Sequence, residues 1–102
     1  MIAALMQEHR AIEAALDSLP LLKELLVTHY RNEEAFLTQL AVDEPALAAK
    51  LRAQHEEALE IAGHLDDPLP ADVAYLQRRL VAIVQHNIIE EERDVFPNWH
   101  FR

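Results

Sequence analysis

Apolar residues recur at intervals of three and four along most of this chain, the spacing of a single helical face. Four such rows can be traced. The first runs through Ile2, Leu5, His9, Ile12 and Leu16, and the second through Leu22, Leu26, His29, Glu33, Phe36 and Leu40. The third runs through Leu47, Leu51, His55, Leu59 and Ala62, and the fourth through Leu76, Leu80, Ile83, His86 and Glu90. No stretch alternates apolar and polar residues with period two, so no strand is predicted.

Proline and small polar residues separate the rows. "DSLP" (17–20), "VDEP" (42–45) and "DDPLP" (66–70) each put a proline where a helix can begin. Proline is tolerated there because its missing N–H would be unpaired in the first turn anyway, and neighbouring Asp and Ser can cap orphan donors. Pro97 ends the last helix. The expected helices are about 2–18, 20–41, 45–64 and 71–96. Their connections are short, which favours antiparallel neighbours. The predicted fold is therefore all-α, an up-down-up-down four-helix bundle forming one domain over residues 1–102.

Composition agrees with this pattern and narrows the partners. Good helix formers dominate, and there is one glycine. The formal net charge is −9, from 18 acidic against 9 basic residues. A duplex-binding protein needs a basic face to displace counterions from phosphates, so nucleic acid is not expected as a partner. There are no cysteines, which excludes disulfides, thiolate zinc sites and cysteine-held clusters. No apolar run reaches the roughly 18 residues of a membrane span. The start of the chain carries Glu8, Arg10 and Glu13, so a signal peptide is not expected there. The expectation is a cytoplasmic protein without a membrane partner.

The chemistry lies in what the rows share. Each holds one histidine, and two carry a glutamate one turn later. A helix rises about 1.5 Å per residue. His9 and His29, each about ten residues from the first connection, therefore meet at one level in an antiparallel pair. Glu33 and His55 match across the second connection in the same way. His86 lies about ten residues from the end of the last helix, beside the start of the first. A buried charge is expensive unless paired or bound to metal.

His9, His29, Glu33, His55, His86 and Glu90 are accordingly candidate metal ligands. Six ligands exceed the needs of one tetrahedral zinc and suit two ions bridged by Glu33 and Glu90. Imidazole with carboxylate suits iron. A lone histidine on a helical stripe is more often a packed residue than a ligand, and it is the coincidence of four that favours the metal. Tyr30, Glu34, Gln54, Glu56 and Asn87 neighbour the ligand positions and could orient the imidazoles. Glu91 and Glu92 read as a solvated face, and His64 and His100 as surface residues. No nucleophile triad or Gly-rich phosphate loop is present. The His-Glu-x-x-His motif fails because position 59 is Leu, and no Glu-x-x-His occurs.

"EHR" at 8–10, "HYRNEE" at 29–34, "QHEE" at 54–57 and "HNIIEEERDVFP" at 86–97 together resemble the hemerythrin-like, or HHE cation-binding, domains over nearly the whole chain. The resemblance implies a four-helix bundle around a non-haem di-iron centre. His9 and His29 would hold one iron, and His55 and His86 the other. Glu33 and Glu90 would bridge them with an oxo or hydroxo group. The chain departs from the family's oxygen carriers at Leu59, where they have a fifth histidine. It also departs at Glu90, four residues after His86, where they have an aspartate at five. The span from His9 to His29 is short for the family. The set resembles four-His, two-Glu bacterial variants linked to iron handling, nitric oxide and oxidative stress.

The implied function is binding of O2 or a related ligand such as NO or peroxide, by a monomer or small homo-oligomer. The alternatives are a di-iron enzyme with peroxidase-like or NO-reducing activity, and a helical interaction module without metal.

Overall fold

The computed structural model describes residues 2–65 and 72–99. Helices α1 (Ile2–Ala14), α2 (Leu19–Asp43), α3 (Pro45–His64) and α4 (Val73–Glu90) are followed by a π segment, Glu91–Val95, and a 3-10 turn, Phe96–Asn98. The described residues contain no strand. The "DDPLP" connection, the expected start of the last helix at 71, and His100 lie outside the described residues.

Local chemistry explains the boundaries. The first helix stops at Ala14 and not near 18. Its last turn tightens: Ala15 N–H donates to Ile12 O at 3.0 Å and Ser18 N–H to Ala15 O at 2.9 Å. Such i to i−3 bonds satisfy carbonyls at a helix end. Leu22 N–H then donates to Ser18 O at 2.8 Å, opening α2 with Pro20 in its first turn. Only Glu44 separates α2 from α3. Its N–H closes α2 onto Leu40 O at 2.8 Å, and its carbonyl opens α3 by accepting from Ala48 N–H at 3.0 Å. The last helix also differs from expectation. After Glu90 the turns widen into the π segment, and Pro97 sits inside the 3-10 turn that follows.

The inward faces build two apolar clusters. One holds Ile12, Leu22, Leu26, Tyr30, Ala58, Ile61, Leu80, Val84 and Ile88 among others. The second holds Leu5, Phe36, Leu37, Leu40, Ala48, Leu51, Val95 and Phe96. Burying each large side chain contributes about 1.5–3 kcal/mol. His9, Glu33, His55 and Glu91 fall, along the chain, between the residues of the first cluster and those of the second, and His29 lies one turn before Glu33. Apolar packing on both sides of this polar layer keeps it away from water. Among the described residues, no helix is long and apolar enough to cross a membrane.

Candidate metal centre

Three helices deliver the predicted inward residues. His9 on α1, His29 and Glu33 on α2, and His55 on α3 are all buried. Each lies within a buried apolar row, such as Leu22, Leu26, Tyr30, Phe36, Leu37 and Leu40 around His29 and Glu33 on α2. Burying that row fixes the helix's rotation, and the polar members go in with it.

The fourth wall differs. His86 is 68% exposed, its Nε2 3.7 Å from Glu90 Oε2. Glu90 faces Lys50 at 3.0 Å and Gln54 at 3.4 Å. Neither joins the buried layer. The inward row of α4 is Leu80, Val84, Asn87 and Ile88, and it continues to Glu91 and Val95. Glu91, expected to be solvated, is fully buried, and Glu92 is only 18% exposed. The physical reason is a set of neighbouring pairs. Ile83-Val84, His86-Asn87 and Glu90-Glu91 each offer a similar residue about 100° further round, so two rotations of α4 fit the same apolar pattern. A signal in the sequence separates them. The row through His86 and Glu90 runs on into Arg93 and Asp94, whereas the row through Glu91 reaches Val95, which packs with Phe96 in the second cluster.

The inward nitrogens are held by carboxylates behind them. His9 Nδ1–H donates to Glu92 Oε2 at 2.6 Å, and His29 Nδ1–H donates to Glu8 Oε1 at 2.7 Å. An ionised carboxylate can only accept, so each Nδ1 carries a proton and Nε2 faces inward. There it meets more acceptors. His9 Nε2 is 3.0 Å from Glu91 Oε1, and His29 Nε2 is 3.8 Å from Glu33 Oε2. His55 Nε2 is 2.9 Å from Glu33 Oε2 and 3.1 Å from Glu91 Oε2. Five buried atoms, His9 Nε2, His29 Nε2, both Glu33 oxygens and Glu91 Oε1, have no hydrogen-bond partner.

One donor atom from each of His9, His29, Glu33 and Glu91 lies within 4.8 Å of the others. Two atoms each about 2.1 Å from an ion, at right angles, are about 3 Å apart. Buried imidazole and carboxylate atoms at that spacing could hold a metal ion.

Electrostatics follow from this crowding. Burial pushes Glu33 up to about 8; the Glu91 charge adds to the rise and His55 opposes it. Burial also acts on Glu91, but the adjoining imidazoles of His55 and His9 outweigh it and hold that carboxyl far below the usual range. Burial alone would depress His55, yet Glu33 and Glu91 raise it to about 9. His9 is likewise raised, its burial outweighed by Glu91 and Glu92. At His29 burial prevails over Glu8, and the imidazole is lowered. Protons thus stand between the acceptors of the metal-free layer, where a cation would replace them.

The remaining neighbours take distinct places. Tyr30 stacks on His55, with centroids 4.0 Å apart and planes within 9°. Asn87 is buried and donates to Gln54 Oε1 at 2.7 Å. Glu34 pairs with Arg52, Glu56 is exposed, and His64 lies at the surface. Leu59 packs against the first apolar cluster. Comparison with protein-family models, with curated proteins and with solved structures finds no match to this chain.

Proposed function

We propose that this chain is a non-haem iron protein of hemerythrin-like type that binds O2 or a related small ligand such as NO or peroxide. The observation that carries the reading is the set of buried imidazole and carboxylate donor atoms converging from α1, α2 and the π segment. The direction of the helices supports it too. Lys50 and Gln54 on α3 meet Glu90, while Glu57, further along α3, meets Arg79, earlier on α4. Glu33 meets His55 while Leu40 shares a cluster with Ala48. Both pairs run antiparallel, as an up-down-up-down bundle requires.

The two carboxylates span the layer. Glu91 puts Oε1 beside His9 and Oε2 beside His55, and Glu33 Oε2 lies between His29 and His55. His9 and His29 would hold one ion and His55 the other, with Glu33 and Glu91 bridging. Glu91 thereby takes the bridging role assigned above to Glu90, and His86 stands outside the set. When bound, the iron pair supplies two exchangeable electrons and open coordination positions for a small ligand. The chain's own residues orient the imidazoles, hold Nδ1 protons on Glu8 and Glu92, and exclude water through the apolar clusters on either side.

Anaerobic loading with Fe(II), exposure to air and elemental analysis test this. The expected result is about two irons per chain with ferric absorption. A folded chain that takes up no iron would overturn the reading and leave the helical interaction module in its place.

A further inference from the structure

His9 and His29 share a feature that His55 lacks. Each has its outer nitrogen on a carboxylate at 2.6–2.7 Å. Among the described residues no side chain plays that part for His55, whose ring rests on Tyr30 instead. The two carboxylates are adjacent in sequence to inward residues of their own walls. Glu8 precedes His9 on α1 and reaches His29 on α2, while Glu92 follows Glu91 and reaches His9. Both are secured from outside. Asn32 Nδ2 donates to Glu8 at 2.7 Å, and Arg10 donates to Glu92. They are partly buried, Glu8 29% and Glu92 18% exposed, so their charges are incompletely screened.

We propose that Glu8 and Glu92 are positioning residues that set the redox balance of the centre. They lock the inward tautomers of His29 and His9, and their charge favours the more oxidised ion. This rests on the iron reading above. A full negative charge behind an imidazole makes the inward nitrogen a stronger donor. The added donation, with the nearby charge itself, stabilises Fe(III) more than Fe(II), because the attraction grows with the charge of the ion. The layer then carries Glu33 and Glu91 facing the ions and Glu8 and Glu92 behind two of the imidazoles. That arrangement suits a centre resting in the ferric state and reduced only by a strong donor.

Glutamine separates charge from hydrogen bonding, since its carbonyl still accepts from Nδ1–H. Glu8→Gln and Glu92→Gln should each weaken Fe(III) binding about 10-fold more than Fe(II) binding. A tenfold difference raises the one-electron potential by about 59 mV. Glu13→Gln is the control. Glu13 is also bound to Arg10, but it touches no imidazole in the described contacts. Its potential should match that of the unaltered protein.

Iron uptake with unchanged potentials in both glutamine variants overturns the proposal and leaves the iron reading standing. A rise as large in Glu13→Gln overturns it too. No iron uptake at all overturns the iron reading. The tautomers then judge the positioning claim by themselves, read from imidazole 1H–15N correlations of the metal-free protein in alkali, where both rings are neutral. Glu92→Ala should release the Nδ1–H form of His9 alone, and Glu8→Ala that of His29 alone. Retention of both would sink it.

Discussion

The segments His29-x-x-x-Glu33 and His86-x-x-x-Glu90 have the same spacing and opposite fates. The first pair is buried to 2% and 0% exposure; in the second, His86 is 68% exposed and Glu90 lies at the rim. A motif's spacing puts two side chains on one face of a helix, but the apolar residues around them decide which way that face turns. On α2 the apolar pairs Leu25-Leu26 and Phe36-Leu37 lie to either side of the motif's line, so the motif sits in the middle of the apolar arc and is buried with it. On α4 the pair Ile83-Val84 lies to one side of the motif and Ile89 faces solvent, so the motif falls at the edge of the buried arc. Val95 and Phe96, beyond the motif, pin the wall instead.

The comparison can be broken most strongly through its packing frame. Phe36 is fully buried one turn beyond Glu33, against Phe96 at 5.3 Å and Trp99 at 5.5 Å. Phe36→Ala should cost about 3–5 kcal/mol in chemical denaturation. Ile89→Ala, at a side chain 54% exposed beside the α4 motif, should change stability by less than about 0.5 kcal/mol.

The next effect is pH-dependent and confined to the buried layer. Glu33 rises from 4.5 to about 8 and His55 from 6.5 to about 9. Both folded values exceed the unfolded ones, so the folded metal-free chain binds these protons more tightly. Their contribution is fully present below the unfolded values, and it is lost as pH rises through the folded ones. Glu91, depressed, acts in the opposite sense and is lost only in acid. Between pH 6.5 and about 9 the metal-free protein should therefore lose stability, on the order of 3 kcal/mol with the touching pair counted once. Iron-loaded protein should not follow, because ligands bind metal deprotonated. Urea midpoints across this range, with and without iron, check both curves.

Metal affinity gives the most direct contrast. His29→Ala or Glu91→Ala should weaken iron binding by at least about 100-fold, or about 2.7 kcal/mol, in chelator competition. His86→Ala and Glu90→Ala should leave affinity within about 2-fold, since surface changes away from such a site act weakly. Strong loss at His86 would overturn the assignment of Glu91 in place of Glu90. The smallest effect is expected at Lys50→Ala, which removes only the exposed pair with Glu90. It should shift stability by under about 1 kcal/mol and leave iron binding unchanged.

Much of this was legible in the chain. The proline clusters marked the helix starts at Pro20 and Pro45, because proline fits only where no N–H is needed. The inward course of Leu5-His9-Ile12 and Leu51-His55 followed from the period alone. Glu8 and Glu92 were not legible as partners of imidazoles. Each touches a histidine on a different element, 21 and 83 residues away in sequence. The early end of α1 was also missed, because Ala15 and Leu16 are as compatible with an α-helix as with the 3-10 turns they adopt.

By itself the sequence determined the helical class, the placing of α2 and α3, and the inward faces that carry His9, His29, Glu33 and His55. Each follows from a local cause: the period, a proline, or polar residues set in the middle of an apolar arc. Only the tertiary structure decided the rotation of α4, the burial of Glu91 over Glu90, and the widened turns that put Glu91 and Glu92 both against His9. Those choices are nearly equal within the helix. The energy that separates them comes from packing Val95 and Phe96 against Leu5, Phe36 and Leu51, residues that meet them only in the folded chain.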